Sequence, residues 1–173
     1  PRPSPAPDTT APSPITKPVP DENGMIELDG TWIKLPSALD SKSIKGFADK
    51  LISLKADYLS GASSVYYSVI PDKSFYASDK IDGALDHTEM TRQLSQQLSG
   101  WICIELSDLL SLGDYYSTDM HWRQEKIVPV AQRVAKTLGF SLSASDFTTK
   151  TRSGFSGDYH RYIGNVTEDI SWL

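Results

Sequence analysis

The stretch Ser64-Val65-Tyr66-Tyr67-Ser68-Val69-Ile70 carries a clear strand signal. It is rich in β-branched and aromatic residues and is bounded by Gly61 and Pro71, so it predicts a buried strand. A second short apolar run, Trp101-Ile102-Cys103-Ile104-Glu105-Leu106, predicts another strand further along the chain. These two runs decide the fold class, because segments with helical spacing precede, separate and follow them.

Segments with helical spacing of apolar residues lie on either side of each predicted strand. Residues 41–59 place most of their apolar side chains on one helix face, with Asp40 or Ser41 as the N-cap. Residues 88–99 repeat this pattern, and Ser107 can cap a brief helix through Leu110. The order helix, strand, helix, strand, helix predicts an α/β fold with a mainly parallel sheet covered by helices.

The flanks of this alternation carry further local signals. In residues 24–35, the pair Asp29-Gly30 predicts a hairpin turn between two short strands. Residues 124–138 return to helical spacing, and Gly139 suits a C-terminal cap. Pro129 requires this helix either to begin close to the proline or to bend there.

The last part of the chain is mainly polar and carries weaker signals. Residues 140–156 predict a loop, residues 157–162 a turn of helix, and residues 170–173 the start of a strand. The sequence stops within that apparent strand, so we expect the natural protein to continue past Leu173 and the domain to be only partial here.

Composition indicates a globular domain and excludes several classes of protein. The chain has 173 residues, of which 39% are hydrophobic and 23% charged, with a net charge of -5. The negative balance argues against nucleic-acid binding, and no run approaches the roughly 20 apolar residues that cross a bilayer. The single cysteine, Cys103, cannot form an intrachain disulfide and is expected to be a buried core thiol.

A proline-rich segment precedes the predicted domain. Residues 1–20 hold eight of the 11 prolines, mixed with Ser, Thr and Ala, which predicts an extended linker over residues 1–21 and a domain over 22–173. No basic start with an apolar signal core is present, so we expect any export signal or membrane anchor to have been removed. The linker hints at an exported protein held away from a membrane or wall.

The sequence Asp119-Met120-His121-Trp122 carries the clearest chemical signal. A histidine can take and return a proton near neutral pH, and a nearby aspartate can accept its Nδ1 proton, fix the tautomer and stabilise the imidazolium. On an extended segment a spacing of two places both side chains on one face. Because this spacing also occurs by chance, a polar surface histidine or a capping residue stays an alternative.

The block from Tyr115 to Trp122 resembles the signature of the DHHW proteins, a bacterial branch of the SGNH-hydrolase superfamily that is similar to the alginate O-acetylation proteins. The Asp29-Gly30 hairpin, residues 69–73 (Val-Ile-Pro-Asp-Lys) and residues 156–161 (Ser-Gly-Asp-Tyr-His-Arg) agree with this resemblance. It extends from about residue 22 to the end of the chain. It implies a three-layer α/β/α domain and a Ser-His-Asp site that acts on acyl esters of cell-envelope or exported polysaccharide.

In that resemblance Asp119 orients His121, and His121 activates a serine. The chain departs from the pattern at Met120, where the family has a histidine, and at Arg123, where a threonine is usual. No Gly-Asp-Ser nucleophile motif occurs in the 173 residues, and Ser153 and Ser156, which flank Gly154-Phe155, do not match it. We therefore expect the nucleophile beyond the chain end and expect this chain alone to be inactive as a serine hydrolase.

Four further side chains are candidates for substrate binding. His160 can line the same cleft and Arg161 can hold an anionic or sugar group, although both also suit a solvated turn of helix. Tyr116 and Trp122 either stack on sugar rings or close the core beneath the loop. The expected partner is a polysaccharide or acylated glycan, with an envelope protein as a second option and no nucleic acid. No metal and no cofactor are expected.

Three readings of the function follow. The first is an SGNH-type esterase or O-acetyltransferase in the bacterial envelope or outside the cell. The second is a non-catalytic module of the same fold that binds a glycan or a partner protein, which the missing nucleophile motif motivates. The third is a cytosolic α/β domain in which the Asp-x-His spacing is a coincidence.

Overall fold

A computed structural model of the chain describes residues 16–146 and 148–172. Most of the predicted linker lies outside these residues, so the boundary at residue 21 stays a prediction. The described part of it, residues 16–21, has no regular secondary structure, and Lys17 forms an ion pair with Asp82 at 2.9 Å. No helix in the described ranges is long and apolar enough to span a bilayer.

Within residues 16–146 and 148–172, ten helices and strands are separated by 3₁₀ turns and loops. In chain order they are β1 (Met25–Leu28), β2 (Thr31–Lys34), α1 (Ser41–Tyr58), β3 (Tyr66–Tyr67), α2 (His87–Gln97), β4 (Ile102–Cys103), α3 (Val128–Thr137), β5 (Lys150–Phe155), α4 (His160–Ile163) and β6 (Glu168–Trp172). The 3₁₀ turns lie at Lys73–Ala77, Leu112–Asp114, Gln124–Lys126 and Ala144–Asp146.

The strands form three small sheets of two strands each. β1 pairs with β2 and β5 pairs with β6 in antiparallel ladders, whereas β3 and β4 are parallel. The mixed α/β composition confirms the predicted class in its coarse form. The expectation of a mainly parallel sheet is wrong for the described residues, because only the β3–β4 pair runs parallel there.

The locally encoded elements form where the sequence places them. Asp29 and Gly30 both have positive φ values, 51° and 79°, which suit the two-residue hairpin between β1 and β2. The side chain of Asp40 accepts hydrogen bonds from the backbone of Lys42 and Ser43 and caps α1. α3 begins next to Pro129, which is tolerated there because the first helical N–H groups have no partner inside the helix.

Elements that depend on distant partners were predicted less well. Only Tyr66–Tyr67 of the predicted strand 64–70 pairs, and Ile70 is 55% exposed. Cys103 is exposed and not buried, because it lies on a strand that has a single short partner among the described residues. Residues 107–110 form a turn instead of a helix.

The end of the chain is more ordered than its polar composition indicates. Residues 150–155, predicted as loop, form β5 because β6 pairs with them. The expected turn of helix appears as α4, and the expected terminal strand appears as β6, which begins two residues earlier than predicted. Leu173 lies outside the described residues.

Buried side chains form three clusters, and one of them supports the Asp-x-His block. That cluster contains Ile104, Leu106, Leu110, Tyr115 and Val130, with Trp122 packed against it. A second cluster joins the β1–β2 hairpin to the turn at 73–77, and a third joins α1 to α2. The block is therefore anchored to the interior by the aromatic residues at both of its ends.

The buried residue His87, at the start of α2, predicts that the stability of the protein depends on pH. His87 is 3% exposed, and neither ring nitrogen has a hydrogen-bond partner among the described residues. Burial holds the pKa of His87 below its ordinary value of 6.5, although Glu105 acts in the opposite direction. Because the unfolded chain then binds a proton more readily than the folded chain, the free energy of unfolding falls as the pH drops below that value.

We expect His87→Phe to reduce this acid sensitivity, because phenylalanine does not titrate and keeps a ring against Phe75, whose centroid lies 5.0 Å from that of His87. Urea unfolding at about pH 7 and about pH 5 measures the loss of stability on acidification. An equal loss in the variant and the wild type would show that His87 does not contribute to it.

Candidate active site

Residues 114–123 form a tight, hairpin-like loop with Asp119 near its tip. Tyr115 and Trp122 face each other in an antiparallel bridge. The N–H of Tyr116 donates to the carbonyl of His121 at 3.1 Å, and the N–H of Arg123 donates to the carbonyl of Asp114 at 2.7 Å. The loop thus has a defined backbone path although it belongs to no long strand.

Asp119 and His121 are in direct contact within this loop. Oδ1 of Asp119 lies 2.6 Å from Nδ1 of His121 and also accepts the backbone N–H of His121 at 2.9 Å. The Asp119 side chain is 10% exposed, whereas the His121 side chain is 73% exposed. The contact therefore joins a buried carboxylate to an imidazole that faces solvent.

The protonation state of Asp119 decides which nitrogen of His121 is free. Burial alone would raise the pKa of Asp119, but hydrogen bonds from the backbone of Asp158 and from His121 outweigh it and hold the pKa below 3.8. An ionised carboxylate only accepts hydrogen bonds, so Nδ1 of a neutral His121 carries the proton. Nε2 is then left as the basic nitrogen, directed away from Asp119.

A buried lysine holds the backbone on both sides of Asp119. Lys73 is 1% exposed. Its Nζ atom donates to the carbonyl oxygens of Trp32 at 2.5 Å, Tyr116 at 2.8 Å, Asp119 at 3.0 Å and, more weakly, Ser117 at 3.5 Å. Burial lowers the pKa of Lys73 to about 8, against the effect of Glu168 and Asp119, so the amine stays charged at neutral pH.

A second support comes from the loop between β5 and α4. The N–H of Gly157 donates to Oγ1 of Thr118 at 3.1 Å, that of Asp158 to Oδ2 of Asp119 at 2.8 Å, and that of Tyr159 to the carbonyl of Thr118 at 3.0 Å. Three successive N–H groups thus bind the two residues at the tip. The N–H of Asp158 on Oδ2 and the contacts of His121 on Oδ1 together occupy both carboxylate oxygens of Asp119.

Gly157 allows this close approach. A Cβ atom at this position would lie 2.2 Å from the carbonyl oxygen of Thr118 and 2.6 Å from Cβ of Asp119, too near for any side chain. Position 157 requires glycine because a side chain would clash there, and not because its φ value is unusual. Glycine is therefore the residue that lets the N–H of Asp158 reach Asp119.

The remaining predicted site residues fall into two groups. Tyr116 is 6% exposed, and its ring packs against Phe155 and lies beside the Arg123 guanidinium, so it belongs to the interior. Trp122 is half-buried on the core beneath the loop. The structure therefore shows both aromatic residues packed in the core beneath the loop. A role for them in sugar binding stays a prediction.

His160 and Arg161 are exposed at the start of α4, directly after the loop that binds Asp119. Nδ1 of His160 lies 2.7 Å from the carbonyl of Gly157, which can only accept, so Nδ1 carries the proton and Nε2 is an acceptor when the ring is neutral. Arg161 lies 3.5 Å from the carboxylate of Asp158. Both residues thus follow directly on the loop that binds Asp119, and their contact with substrate stays a prediction.

Sequence reasoning missed three residues that build the site. Lys73 and Gly157 lie in the motifs 69–73 and 156–161, but the sequence predicts no role for either of them. Glu168 lies in none of the motifs. No local signal could have identified them, because their partners lie 39 or more residues away. Ser153 and Ser156 are exposed and do not hydrogen-bond to His121, and the described residues contain no cluster that could hold a metal ion.

Comparison with known proteins identifies neighbours of the fold. No family model matches the sequence, and no curated protein does. Among solved structures, a DHHW family protein from Eubacterium siraeum is 20% identical with a TM-score of 0.70, over 90% of this chain and 56% of that one. PatB1 from Bacillus cereus is 16% identical with a TM-score of 0.63, over 86% of this chain and 57% of that one.

A second structure of PatB1, with a sulfonyl adduct, matches 74% of this chain and 51% of that one, at 18% identity and a TM-score of 0.61. This chain therefore spans little more than half the length of the proteins it resembles. The likeness establishes a shared fold, and it includes a protein of the DHHW group to which the block at 115–122 is similar.

The Lys73 contacts predict a large stability effect. Lys73→Met keeps the alkyl chain but leaves buried carbonyl oxygens without a donor, and we expect the free energy of unfolding to fall by about 3 kcal/mol. Lys50→Met, at an exposed position of α1, is the matched control and should change it by less than about 0.5 kcal/mol. Urea unfolding measures both, and equal effects would contradict the structural role of the ammonium.

The Gly157 contact gives a second prediction. We expect Gly157→Ala to displace residues 157–159 and to reduce the free energy of unfolding by about 2 kcal/mol. Amide hydrogen exchange at Asp158 should become faster, because its N–H loses the Asp119 carboxylate. Gly61→Ala is the control, since no atom lies within 4 Å of the added methyl group. Unchanged protection of Asp158 would contradict the close approach.

Proposed function

We propose that this chain is the Asp–His-bearing part of an SGNH-type esterase or O-acetyltransferase that acts on cell-envelope or exported polysaccharide. The observation that carries the proposal is the 2.6 Å contact between the buried carboxylate of Asp119 and the solvent-facing ring of His121. This arrangement leaves Nε2 of His121 basic and accessible, as a general base requires. The serine nucleophile is proposed to lie outside these 173 residues.

In the proposed reaction, His121 first accepts a proton as a general base and then donates it as a general acid. Nε2 takes the proton of the serine hydroxyl while the serine oxygen attacks the acyl carbonyl, and the imidazolium is stabilised by Asp119. The imidazolium then gives its proton to the departing alcohol, which leaves an acyl-enzyme. Attack by water, activated by His121 in the same way, completes hydrolysis, whereas attack by a sugar hydroxyl completes transfer.

The structural neighbours support this proposal at the level of fold. A DHHW family protein and PatB1 share the architecture over most of this chain. PatB1 has been solved with a sulfonyl adduct, a kind of product that activated nucleophiles form. Both neighbours extend well beyond the region matched here, which is compatible with a nucleophile supplied from outside it.

The exposed side chains after the Gly157–Tyr159 loop are proposed to bind the substrate. Nε2 of His160 can accept a hydrogen bond from a sugar hydroxyl, and the guanidinium of Arg161 can bind an anionic or hydroxyl group. Trp122, which is half-buried, and Tyr116 are proposed to stack on sugar rings. The proline-rich start and the substrate class favour a location in the bacterial envelope or outside the cell.

A non-catalytic role is the second candidate, because no Gly-Asp-Ser motif occurs in the sequence. A domain of this kind would bind an acylated glycan or an envelope protein without turnover. Titration of the complete gene product with acetylated and unmodified oligosaccharides, followed by tryptophan fluorescence, detects such binding. Saturable binding together with the absence of ester cleavage would favour this candidate over the enzyme.

The enzymatic proposal is tested with the complete gene product and an aryl acetate as substrate. We expect Asp119→Asn to reduce kcat by about 10³- to 10⁴-fold, because the ring loses the group that fixes its tautomer, and His121→Ala to reduce it at least as much. Asp57→Asn, at an exposed position of α1, is the control. Acetate release that persists unchanged in His121→Ala would exclude His121 as the base.

A further inference from the structure

We infer that Glu168 is a positioning residue for the Asp119–His121 pair, an inference that rests on the proposed function and adds a residue to its site. Glu168 is the first residue of β6, and it follows the tip of the loop by about 50 residues. Its hydrogen bonds go to Ser117 and Thr118, and not to Asp119 or His121. It acts on the two residues directly before Asp119.

The carboxylate of Glu168 is hydrogen-bonded to both of these residues. Oε2 accepts the backbone N–H of Ser117 at 2.9 Å and its hydroxyl at 3.2 Å. Oε1 accepts the backbone N–H of Thr118 at 3.1 Å and its hydroxyl at 2.9 Å. The Glu168 side chain therefore fixes two successive peptide units and two hydroxyl groups. These contacts set the path of the backbone just before Asp119.

The same hydrogen bonds connect Glu168 to the second support of the site. Because the hydroxyl of Thr118 donates to Glu168, its lone pairs are free to accept the N–H of Gly157 at 3.1 Å. The next N–H, that of Asp158, reaches Oδ2 of Asp119. Glu168 thus determines the orientation of a hydroxyl that holds the loop against Asp119.

The position of Glu168 in the fold places its carboxylate where it can bind Ser117 and Thr118. Glu168 pairs with Phe155 across the β5–β6 ladder, and β5 leads directly into the Gly157–Tyr159 loop. The Glu168 side chain is 11% exposed and lies 3.6 Å from the guanidinium of Arg123. A carboxylate is required, since only an acceptor on both branches matches the four donors of Ser117 and Thr118.

This inference predicts a spectroscopic property of His121 that does not depend on the nucleophile. When the carboxylate of Asp119 is correctly placed, neutral His121 carries its proton on Nδ1. When the 117–119 backbone shifts, that contact is lost and the ring is free to place the proton on Nε2. The tautomer populations of His121 therefore report on the geometry of the pair.

We expect the 173-residue wild-type chain to show mainly the Nδ1–H form of His121 in long-range ¹H–¹⁵N spectra above the pH at which the ring is protonated. Glu168→Gln keeps the length but turns one acceptor branch into a donor, and Glu168→Asp keeps the charge but shortens the reach. Both variants should shift His121 towards the Nε2–H form and speed amide exchange at Ser117 and Thr118. Glu27→Gln, on an exposed strand position, is the control and should leave both signals unchanged.

The possible outcomes separate the two proposals. A wild-type ring without the Nδ1–H form would overturn the proposed Asp–His function itself. A wild-type ring with that form, unchanged in folded Glu168→Gln and Glu168→Asp, would overturn only the role of Glu168. If Glu168→Gln fails to fold, as judged by circular dichroism, the Glu168→Asp variant decides the question by the same signals.

Discussion

The ammonium group of Lys73 lies inside the molecule and donates to backbone carbonyls of residues that are far apart in the sequence. Trp32 belongs to the β1–β2 hairpin, Lys73 to the turn after β3, and Tyr116 and Asp119 to the candidate site. A buried charge is stable only when polar groups surround it, so the hairpin, the turn and the site loop must all be present together. The Asp119–His121 pair depends on this convergence, because Lys73 fixes the peptide that carries the carboxylate.

The sequence was informative where a structure is decided by neighbouring residues. Asp29-Gly30 specifies its hairpin, Asp40 caps α1, and the Asp-x-His spacing lets a carboxylate reach the ring two residues later. It was uninformative where partners are distant. β5 is polar and becomes a strand only through β6, and Cys103 is exposed because its strand has one short partner among the described residues. The residues that hold Asp119 belong to this second kind, since nothing near Lys73, Gly157 or Glu168 in the sequence indicates what they contact.

The site combines a carboxylate that is held rigidly, that of Asp119, with an imidazole that is accessible to solvent, that of His121. Asp119 is held by Asp158 and by the ring of His121, with its main chain held by Lys73, whereas the His121 ring is largely free of other contacts. Such a division suits a group that must keep one tautomer and yet exchange protons with a molecule arriving from outside. This arrangement lies on a fold that is shared with a DHHW family protein and with PatB1, both of which are longer proteins.

The separation of Glu168 from Ser117 by 51 residues has a consequence for synthesis on the ribosome. Chains emerge from the N-terminus at about 5–20 residues per second, so the 115–122 segment leaves the exit tunnel seconds before β6 does. During that interval the β1–β2 hairpin and the helices α1 to α3 can form, but the hydrogen bonds of Glu168 to Ser117 and Thr118 cannot. The geometry around Asp119 and His121 is therefore completed only after β6 has emerged, 51 residues behind the segment that Glu168 binds.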